Sequence, residues 1–526
     1  MAQLTRDLIR QCATSYPNKI AYWDGDRSAT WPQMHDRSDR FAAAMQGLGI
    51  GKGDAVAILS HEHLEVYEHW FACAKIGALR TGINWRFAAR EMLHVIEDAG
   101  AKLVLIQANC VALLADHIEQ LTAAGVLLVG YGGNHDLAYD YETLISADDQ
   151  APQLPELAAD DLVCYSYTSG TTGMPKGVML TQQGMHSAII NTVLSIGLRF
   201  EDVWFPPTAS AWITFVLGSM NLANGMTVIL PNGDFESHKY LEFIGRYQVT
   251  STIVVPTMLQ RLLQDYEAGD YDISSMRLVT YGSSPARASL IRKTMELFGC
   301  ELMQLYGLTE TTGGWVSYLR HADHLRGLDE KPELLTSCGQ AGLHMEITIR
   351  NSDGEILPAN EVGEVWMRAD TNMVGYLHLP ELTAEVLHDG WLSTHDLGRL
   401  DDEGYLYLTD RKNYLIITGA ANVYPSVIES ALSEQSAVRE VAVFGVPHPE
   451  WGEAVVAAVA LQDGQVATAD ELIEFCRDKV AKWEVPKFVE IVDELPKGPT
   501  GKVLKKVLQQ RYRTEEGLLP WEIEND

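Results

Sequence analysis

The sequence predicts an α/β protein with a small β-barrel-like subdomain: a large N-terminal domain of parallel sheets covered by helices, followed by a small α+β C-terminal domain. Three observations carry this. Short apolar runs alternate with helical patterns over residues 1 to about 160 and again between 185 and 340, the βα alternation of a parallel sheet. From 340 to 410 the pattern changes to short strands split by turns at 352–355 and 401–404, which suggests a small antiparallel sheet or barrel. After Arg411 a further unit begins, so the expected domains are 1–411 and 412–526.

In chain order, strands are expected at 54–59, 101–106, 163–168, 178–180, 227–230, 251–255, 277–281, 301–305, 438–446 and 454–461. Leu472, Cys476, Val480 and Trp483 fall on one face of a helix. A core of ordinary size is within reach, since 46% of the 526 residues are hydrophobic and 21% charged. The formal net charge of −31 disfavours nucleic acid or an anionic membrane as partner, because both need a basic face. Seven scattered cysteines with no C-x-x-C pair suit a reducing cytoplasm, and argue against a zinc site or a disulfide framework. No uninterrupted apolar stretch reaches about 18 residues, so a cytoplasmic protein without a membrane span is expected.

The most informative stretch is 165–180, YSYTSGTTGMPKGVML, which reads as strand, loop, strand. Gly170 and Gly173 let the backbone close on an anion. Thr168, Ser169, Thr171 and Thr172 can donate to phosphate oxygens, and Lys176 supplies the countercharge. It is not the common nucleotide-triphosphate loop, because the lysine follows proline and a strand comes next. A second segment, 306–313, follows the apolar run ending at Leu305, where open α/β sheets bind ligands. There Tyr306 can stack on a base, Gly307 permits close approach, Thr309 can donate to phosphate, and Glu310 is a hard oxygen ligand suited to Mg²⁺. Asp396, expected on a loop, can accept both hydroxyls of a ribose, and Arg411 can brace the same sugar. Near the C-terminus the prolines and glycines of 495–502 present Lys502 on a loop.

Together, in this order, these motifs resemble the adenylate-forming superfamily of acyl-CoA synthetases, peptide synthetase adenylation domains and luciferases. The resemblance spans about residues 20 to 512 and is closest to the acyl-CoA synthetase branch through 422–425 and 448–452. It implies ATP, Mg²⁺ and coenzyme A as cofactor and cosubstrates and a small carboxylic acid as substrate. Thr168, Ser169, Gly170, Thr171, Thr172, Gly173 and Lys176 would enclose the β- and γ-phosphates. Gly282, Ser283, Ser284 and Tyr306 would flank adenine, Gly307 would let the nucleotide approach closely, Thr309 would touch the α-phosphate, and Glu310 with Thr168 would hold Mg²⁺. Asp396 and Arg411 would fix the ribose. Lys502 would be the adenylation lysine, acting with Glu310 and Thr168. A mobile C-terminal domain would turn on Asn413, withdrawing Lys502 while Gly419 and Ala420 line the pantetheine tunnel, with Trp451 against coenzyme A.

The acyl pocket departs from the family's pattern. No histidine stands in 205–213, where many relatives carry an aromatic–histidine gate, and Trp212 could serve as a bulky replacement. Pocket candidates Ala211, Trp212, Gly307, Gly313 and Gly314 are small or aromatic, and fit an alkyl chain or a flat aryl acid. The reading is a carboxylate–coenzyme A ligase on a medium- or long-chain fatty acid. An aryl or cinnamic-type acid, loading of a separate carrier protein, and a silent nucleotide-binding module are the alternatives. A homodimer is left open.

Overall fold

The computed structural model describes residues 4–147, 151–168, 174–207, 211, 213–231, 233–283, 286–411, 414–418, 421–448, 451–477, 479–480, 482–498 and 503–512, with backbone alone at 410, 411, 417, 421 and 422. The chain divides into two compact units. One comprises Met1–Ile347, Met367–Leu392 and Glu403–Leu406, the other Thr348–Trp366, Ser393–Asp402 and Tyr407–Asp526.

The first unit is built on two large sheets. A nine-stranded sheet has a parallel centre made of Ile20–Asp24, Val203–Phe205, Thr227–Leu230, Ser251–Val254, Leu278–Gly282 and Glu301–Gly307. An eight-stranded sheet runs parallel through Leu79–Ile83, Ala55–Leu59, Leu103–Gln107 and Leu127–Tyr131, with Leu162–Thr168 alongside Leu79–Ile83. Strands 55–59, 79–83, 103–107, 227–230 and 251–254 are buried along their whole length, as strands covered on both faces must be, which explains the apolar run 55–59 and the largely apolar 103–107 and 227–230, while 79–83 and 251–254 bury Arg80, Thr81, Ser251 and Thr252 as well.

Helix Leu64–Ile76 is buried on every side although it carries Glu65, Glu68 and Lys75. Each charge meets an opposite one: Arg27 on Glu65 at 2.7 Å, Arg37 on Glu68 at 2.6 Å, and Asp39 on Lys75 at 2.8 Å. Unpaired, any of them would be too costly to bury. Around this helix a core led by Trp31, Trp70, Phe71 and Trp204 forms the largest apolar cluster. All seven cysteines are buried, and none forms a disulfide.

Five short strands, Met345–Arg350, Gly363–Ala369, Leu387–His388, Trp391–Leu400 and Leu406–Arg411, make the small sheet expected from 340–410. In the second unit, Val438–His448 and Gly452–Leu461 form a long antiparallel hairpin, and Phe488–Val492 adds to it in parallel. Helix Ala469–Arg477 buries Leu472 and Cys476 as expected, but it ends before Val480. Trp483 is 54% exposed, so the helical face read through it stops at Cys476, short of the tryptophan. Among the described residues, no helix is long and apolar enough to cross a membrane.

Candidate active site

In the first unit the site starts at a hairpin. Leu162–Thr168 pairs antiparallel with Lys176–Thr181, in register Thr168 to Lys176, so both residues stand at the open ends of their strands. Ser169, Gly170, Thr171, Thr172 and Gly173 lie outside the described residues. Thr181 ends the return strand and caps the next helix, Gln182–Ile196, by accepting from the Gly184 N–H at 3.1 Å. His94 contacts the Pro175 carbonyl at 2.9 Å, which ties the described edge of the loop to helix Ala89–Asp98.

Strand Glu301–Gly307 delivers Tyr306, half-buried against the core, and runs into a single turn at Thr309–Thr311. Close packing makes glycine necessary here. A Cβ on Gly307 would lie 2.9 Å from the Gly314 carbonyl oxygen, and one on Gly282 would lie 2.6 Å from that of Leu305. Thr312 holds φ +58°, a left-handed conformation disfavoured for a β-branched residue, and is retained by its hydroxyl donating to the Thr371 carbonyl at 2.6 Å. Ser283, at the end of Leu278–Gly282, has φ +68°; its neighbour Ser284 lies outside the described residues. Such strain concentrates where a surrounding structure over-determines the backbone, often at functional sites.

Lys176 and Glu310 are brought together by a residue that the sequence reading missed. The Tyr376 hydroxyl donates to Glu310 Oε1 at 2.8 Å, and the Lys176 ammonium lies 5.7 Å from the centre of the Tyr376 ring. A cation, a carboxylate and two strand ends thus converge, as a polyphosphate and its counterion require.

Of the pocket candidates, Ala211 packs its backbone against Gly82, whose added Cβ would meet the Ala211 oxygen at 2.6 Å. Gly313 faces Ile213, and Gly314 faces Thr371 and Ala188. Trp212 lies outside the described residues. Farther along, Phe205 and Pro207 line a cavity of about 290 Å³ with Tyr240, Phe243 and Met258.

In the second unit Asp396 is 5% exposed and lies within strand Trp391–Leu400, a correction to the loop expected for it. His395, at φ +55°, distorts the strand locally while the pairing continues. Its Nδ1 lies 3.2 Å from Glu364, which also accepts from the Ser393 hydroxyl at 2.6 Å, so the segment before Asp396 is anchored. Arg411 ends strand Leu406–Arg411. Trp451 stacks on His448 at 4.0 Å and 5°, with the Lys487 ammonium 4.9 Å from its ring centre, an aromatic and cationic platform. Asn413, Gly419, Ala420 and Lys502 lie outside the described residues.

One further cluster, Asp24, His63 and Glu65, has metal-ligand chemistry. Arg27 already bonds both carboxylates, and Asp24, despite burial that would raise it, is held below the usual carboxylate range by His63 and Arg27. It is a structural ion pair.

The AMP-binding enzyme model matches residues 9–377, and the AMP-binding enzyme C-terminal domain model matches 427–502. The chain belongs to the AMP-binding enzyme family. It is accordingly an AMP-forming ligase of the adenylate-forming superfamily. It is 33% identical over 492 residues to the fatty acid–[acyl-carrier-protein] ligase ScoC of Streptomyces coeruleorubidus, covering 92% of each chain. It is 33% identical over 500 residues to a feruloyl-CoA synthase of Amycolatopsis sp, covering 94% of this chain and 96% of that one. The solved structure of a Mycobacterium tuberculosis fatty acyl CoA synthetase superposes with TM-score 0.77 at 32% identity, covering 97% and 98%.

Proposed function

We propose that this AMP-binding enzyme condenses a medium- or long-chain fatty acid with ATP to an acyl-adenylate, then transfers the acyl group to coenzyme A. The observation that supports this most is the convergence of Lys176, Tyr376 and Glu310 beside the ends of the phosphate hairpin. A carboxylate attacking the α-phosphate brings two anions together, so the barrier is largely electrostatic. In this reading Lys176 neutralises the β- and γ-phosphates, Thr309 contacts the α-phosphate, and Glu310 with Thr168 holds Mg²⁺. Held there by Glu310 and Thr168, the metal would supply positive charge that offsets the charge of the phosphates. Asp396 and Arg411 hold the ribose, and Lys502 guides the incoming carboxylate. Trp451, with Lys487 over its ring, receives coenzyme A.

The lean to an alkyl acid is tested at the cavity where Phe205, Pro207, Tyr240, Phe243 and Met258 form an apolar side facing His61, Glu62, Arg86, Asp234, Glu236 and Lys239, a space at the small end of ligand-pocket volumes. Phe205 and Pro207 line this cavity, and Ile213 packs against Gly313, three residues beyond Glu310. Filling the cavity by Met258→Trp is expected to move the preferred acid to shorter chains while leaving the ATP KM in place; an unchanged chain-length profile would remove the cavity from the acyl path. The similarity to ScoC keeps a carrier protein as the second acceptor, and the feruloyl-CoA synthase keeps an aryl acid as the second substrate.

Pyrophosphate release with ATP and Mg²⁺ across acetate to palmitate plus benzoate, cinnamate and ferulate, each with and without coenzyme A, separates these. A peak on alkyl acids with turnover dependent on coenzyme A is expected. A peak on aryl acids, or turnover supported by a carrier protein and not by coenzyme A, would replace this reading with the corresponding alternative.

A further inference from the structure

We infer that Tyr376 is a positioning residue that couples the lysine of the phosphate hairpin to the carboxylate at the metal position. The inference rests on the proposed role of Glu310 as a metal ligand and adds to it how that carboxylate is aimed.

Tyr376 belongs to a two-residue strand, Gly375–Tyr376, added to the edge of Lys176–Thr181, with Gly375 opposite Met179 and Tyr376 opposite Val178. Backbone bonds on both sides fix it there: Val374 donates to the Met179 carbonyl at 3.1 Å and Leu377 to that of Gly177 at 2.8 Å. The Tyr376 N–H donates to the Thr383 hydroxyl at 2.9 Å. Gly375 adopts φ +149°, and a Cβ there would lie 2.7 Å from Thr383 Cγ2, so only glycine lets the chain approach this closely. The tyrosine backbone therefore rides on the strand that begins with Lys176.

Its side chain meanwhile reaches the turn Thr309–Thr311. The hydroxyl donates to Glu310 Oε1 at 2.8 Å, while the Met373 N–H donates to the Glu310 carbonyl at 2.8 Å. Glu310 is held at main chain and side chain by one segment, 373–376. The hydroxyl occupies one carboxylate oxygen and leaves Oε2 for a cation, and a donor to a ligating carboxylate sets its orientation. The ring faces the Lys176 ammonium at 5.7 Å. Hydroxyl and ring thus serve opposite charges, so a shift of either charged group is transmitted through one rigid side chain.

The test uses the full-length enzyme, Mn²⁺ as the metal probe and a non-hydrolysable ATP analogue, with free Mn²⁺ read by electron paramagnetic resonance. Tyr376→Phe keeps the ring and loses the hydroxyl. It should weaken Mn²⁺ binding about tenfold and leave metal-free analogue binding unchanged. In a Glu310→Gln background, Tyr376→Phe should add nothing. Tyr376→Leu should show the same metal loss and, in addition, bind the metal-free analogue about threefold more weakly. In turnover, Tyr376→Phe should raise the Mg²⁺ requirement while the KM for the acid stays within about twofold. Wild-type Mn²⁺ affinity in Tyr376→Phe, or an equal loss in both backgrounds, would overturn the coupling and leave Glu310 as a ligand. Equal Mn²⁺ binding by wild type and Glu310→Gln would overturn the metal role of Glu310, and this inference with it.

Discussion

His324 is 0% exposed, and both of its ring nitrogens have partners. Nδ1 lies 2.8 Å from the Arg320 carbonyl oxygen and must carry a proton, while Nε2 lies 2.8 Å from the Tyr281 hydroxyl, which can donate to it or accept from it. Burial favours the neutral ring and pushes its pKa from 6.5 down to about 4. The folded state therefore binds fewer protons than the unfolded chain between those values, so this contribution to stability is lost as pH falls from about 6.5 toward 4. Between pH 7 and 5 the loss is about 2 kcal/mol. His324→Gln should flatten that part of the urea-midpoint profile; an unchanged slope would contradict the assignment. Neither this histidine nor Tyr376 was legible in the sequence, for a shared reason. Tyr376 meets a carboxylate 66 positions away, and His324 meets a tyrosine 43 positions away. No local periodicity encodes a contact that sheet topology creates. Lys176 and Glu310 stood out in the sequence because each sits in a segment whose residue types are themselves unusual, and the fold brings both to Tyr376.

Strands and turns carry the geometry one level up. Gly82 lies in the fully buried strand Leu79–Ile83, and a methyl group there would lie 2.6 Å from the Ala211 oxygen. Gly82→Ala is expected to cost about 1–3 kcal/mol and to change the acid preference more than the ATP KM, because it displaces Ala211, a pocket candidate two residues before Ile213, which packs against Gly313. Thermal unfolding with an acid panel checks both. The strands of the parallel sheets were readable to within two residues at 227–230, 251–254, 278–282 and 301–307, since burial on both faces leaves an apolar run between polar breaks. The errors have physical causes. Ser393, Thr394, His395 and Asp396 look like a polar loop, yet Ser393 and His395 are satisfied by Glu364, so a strand accommodates them. The face through Leu472 and Cys476 has the spacing to continue, but periodicity does not register where a helix stops.

For the whole molecule, a net charge of −31 sets a repulsive background for ATP and coenzyme A, so the proposed function makes binding depend on a few placed cations such as Lys176. Salt screens that background along with the local attraction. The ATP KM should therefore change by less than about threefold between about 50 and 200 mM salt; a steep rise would mean that a basic surface dominates. For Lys502 the proposal is a kinetic one: Lys502→Ala should lower adenylation by about a hundredfold or more and spare thioester formation from supplied acyl-adenylate. Equal loss in both half-reactions would remove Lys502 from its assigned role. The most direct test of the account is acid-dependent exchange of pyrophosphate into ATP, without coenzyme A, in wild type and Glu310→Gln. The account predicts exchange that requires an alkyl carboxylate and falls about a hundredfold or more in the variant. Exchange with no carboxylate in the panel, or full exchange in Glu310→Gln, would contradict it.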